Sequence, residues 1–425
     1  MKIIFINRYF YPDHSATSQI LTDLAFFLAD QGLDVHVITS RQCYDDPNAR
    51  LDSIETINRV RIHRVWTSRF GRSRLAGRAL DYLSFYLSTG WCLLRLLRRG
   101  DVIVAKTDPP LLSVVASWAA RLRGAQLLNW LQDLFPEVAT GLKVRGMTGT
   151  LSRLLCALRN ASLQRATKNV VIGERMAQRL KAEGIPDDKI SVIQNWADGT
   201  AIRPIEVSDN ALRREWGLED QFVIGYSGNM GRAHEFETLL NAMEQLCGSH
   251  PSPLPSHISP PLPSPTFLFI GGGHHRQALQ TETQHRHLNN IQFQPYQPRE
   301  RLQESLGVAD VHLISLRPEL EGLIVPSKFY GIAAAGRPAI YIGDPDGEIA
   351  RIIKQADCGV VIEPGDDAGL IQTILRYRDD PALVMQHGAN ARTVFDQNFD
   401  KSIALHAWYE LLKRGQTKNY KGVLT

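Results

Sequence analysis

The chain has 425 residues, of which 44% are hydrophobic and 22% are charged, with a formal net charge of +4. This length predicts a globular protein of two domains, and so mild a charge does not require a nucleic-acid partner. The apolar run at residues 2–7 is too short for a signal peptide, and the five scattered cysteines show no CxxC spacing. These features predict a cytoplasmic protein with reduced thiols.

Short apolar strands alternate with helical segments through the first half of the chain. Residues 2–7 predict a buried strand, residues 18–29 a helix, and residues 34–39 the next strand. This βαβ pattern continues to about residue 194 and predicts a doubly wound parallel sheet. In such a sheet, ligands bind beyond the carboxyl ends of the strands.

Residues 69–99 combine an apolar segment with a concentration of positive charge. The apolar segment, residues 82–97, is too short to span a bilayer. Two interpretations remain open: an interfacial helix facing anionic lipid, and a buried helix of the first domain. The arginines of this region are Arg69, Arg72, Arg74, Arg78, Arg95, Arg98 and Arg99.

A polar connector at residues 195–204 separates the first half from a second series of α/β units. We therefore predict an N-terminal Rossmann-like domain over residues 1–204 and a C-terminal one over 205–398. A Pro/Ser-rich insert at 248–265 is predicted to be a surface loop without functional weight. Residues 399–425 form a terminal helix and tail, which we expect to pack back on the N-terminal domain.

Several turns of the second half suit anion binding. The strand ending near Tyr226 runs into a turn containing Gly228 and Gly231, and Gly272 follows the next strand. Glycine lets backbone amides approach a phosphate closely, although such glycines also simply shape turns. Farther along, Ser327 is a candidate N-cap, and Lys328 opposes the helix dipole unless an anion binds there. A surface lysine on a core helix is the alternative.

The first half offers lone carboxylates at the carboxyl end of a predicted strand. Asp133 and Glu137 are candidates for a general base or for a ligand of a sugar hydroxyl, or else they cap a helix. No Ser-His-Asp order, Walker loop or zinc-ligand spacing occurs in the sequence.

Five motifs, in this order and spacing, resemble those of the retaining glycosyltransferases of family 4. The resemblance covers nearly the whole chain except the Pro/Ser-rich insert, and is greatest to the bacterial branch with colanic acid and O-antigen fucosamine transferases. The motifs are YFYPD at 9–13, QDLFPE at 132–137, IQNWAD at 193–198, YSGNMG at 226–231 and VPSK at 325–328.

The resemblance implies a GT-B fold, in which two doubly wound Rossmann-like domains face a central cleft. It also implies that the second domain binds a nucleotide-sugar, that the first binds the acceptor, and that no metal or other cofactor is needed. Asp133 and Lys328 become the candidate catalytic residues, and Ser15, Thr17 and Glu137 the candidate acceptor ligands. The candidate donor ligands are Gly228, Asn229, Arg232, Gly272, Tyr296, Glu321, Gly322, Leu323, Ser327 and Lys328.

Three departures from the family pattern accompany this resemblance. The turn that usually carries Arg and Lys has Asn229 and His234, and Gly331 replaces the second glutamate of the Glu-x7-Glu motif. The Gly-Gly of the first-domain loop is replaced by residues 15–17 (SAT). The way in which this chain holds the ribose is therefore not given by the resemblance.

The leading hypothesis is a retaining glycosyltransferase that uses a UDP- or GDP-sugar and extends a polyprenyl-linked or other glycan acceptor. We expect it to act in cell-surface polysaccharide biosynthesis, bound peripherally through residues 69–99 to the anionic inner face of the plasma membrane. Two alternatives are a GT-B sugar-nucleotide epimerase, which needs no acceptor, and a non-catalytic nucleotide-sugar-binding scaffold.

Overall fold

The computed structural model describes residues 1–44, 46, 50–71, 75–144, 146–147, 149–248 and 264–421, without the side chains of residues 75, 247–248 and 415–421. Most of the Pro/Ser-rich insert, together with Arg72 and Arg74, lies outside the described residues. The chain divides into two compact units. Unit 1 comprises Met1–Gln194, Gly322–Ile324 and Ser402–Thr425, and unit 2 comprises Asn195–Glu321 and Val325–Lys401.

Unit 1 is built on an eight-stranded sheet in which all strand pairs except β3–β4 are parallel. The order is β3-β4-β2-β1-β5-β6-β7-β8, so the chain reverses its direction of winding between β1 and β5. The strands are β1 Lys2–Ile6, β2 Asp34–Ser40, β3 Ile54–Ile57, β4 Val60–Val65, β5 Val102–Ala105, β6 Gln126–Leu131, β7 Lys168–Val171 and β8 Ile190–Val192.

The central strands are almost wholly apolar because helices cover both faces of the sheet. The helices of this part of the chain are α1 Ala16–Asp30, α2 Leu75–Leu96, α3 Leu112–Arg123, α4 Glu137–Gly141, α5 Thr150–Arg165 and α6 Glu174–Ala182. Helix α2 buries Phe85 and Leu93 in the core, so one side of the segment predicted at 82–97 is a buried helix face. Among the described residues, no helix is both long and apolar enough to cross a bilayer.

Unit 2 contains a six-stranded parallel sheet of the order β11-β10-β9-β12-β13-β14, which reverses between β9 and β12. Its strands are β9 Val223–Ser227, β10 Thr266–Ile270, β11 Ile291–Gln294, β12 Val311–Ser315, β13 Ala339–Ile342 and β14 Gly359–Ile362. Its helices are α7 Ala211–Glu215, α8 Glu237–Gly248, α9 Arg276–His285, α10 Leu302–Gly307, α11 Lys328–Ala334, α12 Glu348–Ala356, α13 Asp367–Asp379 and α14 Pro381–Asn398.

The last helix, α15 Lys401–Lys421, returns to unit 1. Trp408 is fully buried against Trp130 of β6, with their ring centroids 4.6 Å apart. Phe27 of α1 contacts His406 and Tyr409 of the same helix. These aromatic contacts attach the C-terminal helix to the N-terminal sheet.

The prediction of two doubly wound α/β domains is confirmed, and the structure adds one element that the apolar pattern did not indicate. Strand β3 pairs antiparallel with β4 around Asn58 and Arg59, which both have positive φ (47° and 64°). Two such residues form the tight turn that suits a β-hairpin. Because Ile54 is exposed and the strand is only four residues long, its sequence resembles a loop.

Candidate functional site

The carboxyl ends of β9 and β12 lie side by side where the sheet of unit 2 reverses, and Lys328 lies beside the turn that follows β9. Its Nζ donates to the Asn229 carbonyl (3.0 Å) and to the Tyr226 hydroxyl, and lies 3.7 Å from the Tyr226 ring centroid. Among the described residues no carboxylate forms an ion pair with it. Burial lowers the pKa of Lys328 well below its ordinary value.

His234 connects this turn to β12 and also faces the lysine. Its Nδ1 is 2.7 Å from the Ser315 carbonyl, so Nδ1 carries the proton and donates. The other nitrogen, Nε2, is therefore an acceptor, and it lies 3.4 Å from Lys328 Nζ. Burial, with the nearby Lys328 charge, lowers the pKa of His234 to about 3. The imidazole is thus neutral at physiological pH, and the positive charge of the cluster belongs to Lys328.

Asn229 and His234 are the two positions at which the family pattern carries Arg and Lys. In this structure both of them contact Lys328. A lysine from the start of α11 thus contacts both of these positions in the turn. Sequence spacing identified the departure at these positions and did not show that Lys328 reaches them.

Glycines make room for this arrangement, at backbone angles that favour them. Gly228 has φ +121°, and a Cβ there would lie 3.0 Å from Lys328 Cε. Gly273 has φ +122°, and its Cβ would lie 2.2 Å from Asn229 Oδ1. The Gly228 N–H donates to the Ile270 carbonyl (2.8 Å). The structure therefore assigns Gly228 a steric role beside Lys328.

Two further candidate donor ligands, Tyr296 and Arg232, have solvent-exposed side chains. The Tyr296 ring is 60% exposed, and a Cβ at Gly272 would lie 3.0 Å from its Cε2 atom. One part of the ring therefore lies against the Gly272 backbone, and much of the remainder is exposed to solvent. Arg232 is exposed, and its charge contributes to the lowered pKa of His275, which results mainly from burial.

Glu321 was predicted to bind the donor, and the structure gives its carboxylate a structural role. Oε1 accepts the Glu348 N–H at the start of α12 (2.8 Å), and Oε2 lies 3.4 Å from the Tyr341 hydroxyl. A Cβ at Gly347 would lie 2.6 Å from Oε2, so the residues around Gly347 enclose this carboxylate. Glu321 caps a buried helix, which satisfies backbone N–H groups that would otherwise lack acceptors.

This role predicts a stability effect that is separate from donor binding. Glu321→Ala is expected to lower the free energy of unfolding by about 1 kcal/mol, because the start of α12 loses its acceptor. Thermal unfolding and donor titration would measure the two effects, with Glu321→Gln as the matched control that retains an acceptor oxygen. A tenfold loss of donor affinity without a change in stability would restore the original prediction.

Gly322, Leu323 and Ser327 are three further candidate donor ligands from the same part of the chain. The first two belong to unit 1, where the Leu323 carbonyl accepts the Leu134 N–H (2.9 Å) and Ile324 bridges Asp133. Ser327 is exposed, has helical backbone angles and makes no side-chain cap bond. The prediction that Ser327 caps α11 is therefore wrong, because its backbone already continues the helix.

In unit 1, Asp133 follows β6 and its backbone is fixed by the pairing with Ile324. Its Oδ1 is buried, and no described group donates a hydrogen bond to it. Burial raises the pKa of Asp133 to about 6, and the Asp108 charge adds to the rise against an opposing hydrogen bond from Thr107. A carboxylate with a buried, unpartnered oxygen can accept a proton or a hydroxyl hydrogen bond.

The side chains of Ser15 and Glu137, two of the candidate acceptor ligands, have partners in the protein. The Ser15 N–H and Oγ both donate to Asp13 Oδ1 (2.8 and 2.5 Å), which fixes the start of α1. Glu137 forms a two-pronged ion pair with Arg159 (2.6 and 2.8 Å), and Arg159 also contacts Glu183 (2.5 Å). This pairing occupies both oxygens of the Glu137 carboxylate, whereas Asp133 Oδ1 has no hydrogen-bond donor among the described residues.

Sequence reasoning missed Lys106, which follows β5 where the sheet of unit 1 reverses. This lysine is 1% exposed, donates to the Thr17 carbonyl (2.8 Å), and lies 4.0 Å from the Trp130 ring centroid. Burial lowers its pKa to about 7. Its position directly after a strand at the reversal point was the available signal. Lys106 connects candidate acceptor residue Thr17 to the strand that leads to Asp133.

The described residues contain no group of three or more His, Cys, Asp or Glu side chains placed to hold a metal ion.

Comparison with known families shows how the two units are classified. Residues 16–196 match the model of the glycosyl transferase 4-like domain, and residues 208–394 match glycosyl transferases group 1. The chain therefore belongs to the two-domain glycosyltransferases. The group 1 match contains the entire Lys328 cluster, and the 4-like match contains Asp133, Glu137 and Lys106.

Individual relatives and solved structures agree with this assignment. The chain is 23% identical over 418 residues to a putative colanic acid biosynthesis glycosyl transferase, WcaI, of Escherichia coli K12, covering 95% of this chain and 98% of that protein. The fold resembles that of sucrose-phosphate synthase from Thermosynechococcus elongatus, with TM-score 0.74, 18% identity, and 97% and 98% of the two chains covered. It also resembles Anabaena HepE in complex with UDP-glucose, with TM-score 0.70, 16% identity, and 97% and 100% covered. The predicted GT-B fold is confirmed.

Proposed function

We propose that this glycosyltransferase moves a sugar, with retention of anomeric configuration, from a UDP- or GDP-sugar to a lipid-linked glycan in cell-surface polysaccharide biosynthesis. The observation that carries the proposal is the Lys328 cluster. This cluster places at the reversal point of the group 1 domain a lysine that has no acidic partner among the described residues. Ligands of doubly wound sheets bind at such points, and an anionic group would complete the cluster electrostatically.

The donor diphosphate fits this cluster in charge. The Lys328 ammonium contacts a carbonyl, a phenol and a neutral imidazole, and no described residue supplies a neutralising charge. Phosphate oxygens would form charge-assisted hydrogen bonds with Lys328, and exposed Arg232 is the candidate for a second contact. The exposed Tyr296 ring beside Gly272 offers a surface for the base. The HepE complex with UDP-glucose supports a nucleotide-sugar donor.

In the proposed reaction, the bond between the sugar's anomeric carbon and the diphosphate oxygen breaks, and an acceptor hydroxyl oxygen bonds to the same face of that carbon. Negative charge develops on the departing diphosphate. Lys328, which is already held in position before the reaction, would stabilise this charge. The proton of the acceptor hydroxyl would pass to Asp133, whose Oδ1 has no hydrogen-bond donor among the described residues. Ser15 and Thr17, which also belong to unit 1, are the proposed further contacts of the acceptor.

The decisive experiment combines purified protein with a panel of UDP- and GDP-sugars and polyprenyl-linked glycan acceptors. The expected result is one donor whose sugar adds a single residue mass to the acceptor, with release of nucleoside diphosphate. NMR of the product should show the same anomeric configuration as the donor. If no donor in the panel gives a mass shift with any lipid-linked acceptor, the proposed substrate classes are wrong.

The epimerase and scaffold alternatives give different outcomes in the same experiment. Conversion of the nucleotide-sugar without acceptor would indicate an epimerase, and calorimetric binding without turnover would indicate a scaffold. Glu321, the carboxylate that the sequence offers near Lys328, is occupied at the start of α12. The structure therefore gives the epimerase no specific support.

The proposed setting is the cytoplasmic side of the plasma membrane, with the enzyme bound peripherally. A lipid-linked acceptor would be presented at that surface, and the similarity to WcaI, a putative colanic acid biosynthesis glycosyl transferase, supports a role in polysaccharide biosynthesis.

A further inference from the structure

Helices α2, α3 and α5 form a continuous layer over the sheet of unit 1. Helix α3 packs between the other two. A Cβ at Gly90 of α2 would lie 3.3 Å from Val115 of α3, so these two helices approach closely. On the other side, Ser162 of α5 donates to the Ser113 carbonyl of α3 (3.0 Å). We call the solvent side of this layer the three-helix face.

The three-helix face exposes an unusual amount of large apolar side chain. Of the eighteen large apolar residues that are exposed in the described chain, nine lie on these three helices. They recur at helical spacing along each helix, so they form stripes and are not scattered. On α2 they are Leu80, Leu83, Leu87 and Trp91, on α3 Trp118 and Leu122, and on α5 Leu151, Leu154 and Leu158.

The same face is positively charged and lacks exposed acidic residues. Helices α3 and α5 contain no Asp or Glu. The only one in α2 is Asp81, which is buried and accepts hydrogen bonds from Ser68 and from the Phe70 and Gly71 N–H groups. The exposed arginines of the three helices are Arg95, Arg121, Arg123, Arg153 and Arg165.

Trp91 and Arg95 show how apolar and charged groups combine on this face. The Arg95 guanidinium carbon lies 4.5 Å from the Trp91 ring centroid, while Trp91 itself is 59% exposed. An aromatic ring with a cation beside it suits the boundary between acyl chains and headgroups, where the ring enters lipid and the arginine meets phosphate.

We propose that the three-helix face is a docking surface for an anionic phospholipid bilayer. The absence of exposed acid together with five arginines matches a uniformly anionic surface. The apolar stripes add insertion energy that a purely ionic contact lacks. Helix α2 lies in the interface and does not span, because its opposite side is buried in the core.

This inference deepens the proposed function, since a lipid-linked acceptor requires the enzyme at the membrane. It also enlarges the predicted surface at 69–99 to include α3 and α5.

Vesicle flotation tests the apolar part of this surface. Full-length protein is mixed with vesicles of phosphatidylcholine alone or of phosphatidylcholine with phosphatidylglycerol, without donor or acceptor. The protein should float with the anionic vesicles, and Leu87→Ser/Trp91→Ser should bind about tenfold more weakly. The matched control is Ile54→Ser/Met385→Ser, which removes two equally exposed apolar side chains outside the face and should bind normally.

Charge reversal tests the arginines. Arg95→Glu/Arg121→Glu/Arg153→Glu should weaken binding by at least about fivefold per residue, since each arginine near an anionic surface contributes about that factor. Arg61→Glu/Lys143→Glu/Lys354→Glu changes the net charge equally at exposed positions outside the face and should bind far better. Raising the salt concentration should release the wild-type protein in part, because screening weakens only the ionic contribution.

Several outcomes would overturn the inference. These are no flotation of the wild-type protein, equal binding to both vesicle types, and unchanged binding of both face variants. Sedimentation showing a dimer that the Leu87/Trp91 variant dissociates would assign the face to a second copy instead. Transfer to a lipid-linked acceptor in detergent without vesicle binding would refute only this inference. Vesicle binding without transfer from any donor would refute only the proposed function.

Discussion

Replacing Lys328 by methionine is expected to weaken donor affinity and turnover by about tenfold to a hundredfold while leaving stability unchanged or increased. The loss reflects one charge-assisted phosphate contact. The stability effect has the opposite sign because the buried ammonium has no acidic partner in the described structure. Methionine is close to lysine in shape, so the packing against Gly228 and Tyr226 is preserved.

Donor binding should also change the protonation of Lys328. Burial lowers its pKa in the free protein, and a bound diphosphate would raise it again. Above the lowered pKa, binding should therefore take up a proton, and donor affinity should fall as pH rises. Calorimetry in buffers of different ionisation enthalpy would measure this uptake, which Lys328→Met should abolish.

Lys354→Ala is a matched control for Lys328, because it removes an exposed lysine of unit 2 that donates only to the Pro345 carbonyl. Its kinetics should equal those of the wild-type enzyme. Wild-type donor affinity in Lys328→Met would remove Lys328 from the donor site, and with it the observation on which the proposed function rests.

The second large effect is expected for Asp133→Asn, which should reduce turnover by about a hundredfold with little change in donor affinity. Burial raises the pKa of Asp133 to about 6. If turnover depends on the ionised carboxylate, it should therefore rise as pH increases through about 6. This rising limb of the pH profile should be absent from the variant. Because ionisation is disfavoured in the folded state, the carboxylate's contribution to stability is largest at acid pH and falls as pH rises through that value. Asparagine should thus not destabilise the protein at neutral pH.

Steady-state kinetics over pH, with thermal unfolding in parallel, would test this role. Asp30→Asn is a suitable control, since Asp30 is an exposed carboxylate at the end of α1. A wild-type turnover and an intact pH limb in Asp133→Asn would exclude the residue from the chemistry. A large loss of stability would instead indicate a structural carboxylate like Glu137.

The comparison of Asp133 with Glu137 shows where sequence reasoning stopped. Both residues lie in the same QDLFPE motif after a strand, and both were candidates for sugar contacts. The structure pairs Glu137 with Arg159, which lies 22 positions later in α5, and leaves a buried oxygen of Asp133 without a donor. No spacing rule predicts that pairing, because it depends on how α5 packs against the loop.

The second-domain candidates divide in the same way. Gly228, Asn229 and Lys328 were predicted as neighbours of one ligand, and the structure brings them together within hydrogen-bond or van der Waals distance. Glu321 lies just before the VPSK motif in the sequence, and it was predicted to be a donor ligand. It instead caps α12, whose start lies 27 residues later and reaches it only through the folding of unit 2.

The sequence by itself determined the alternation of apolar strands and amphipathic helices, and hence two doubly wound domains, because these patterns reflect local periodicity. It also determined the family, because five short motifs retain their order and spacing. Only the tertiary structure decided which polar side chains contact one another, since partners such as Lys328 and His234 lie 94 residues apart. It also decided that three helices without exposed acid share one surface, because burial and exposure are properties of packing and not of the chain alone.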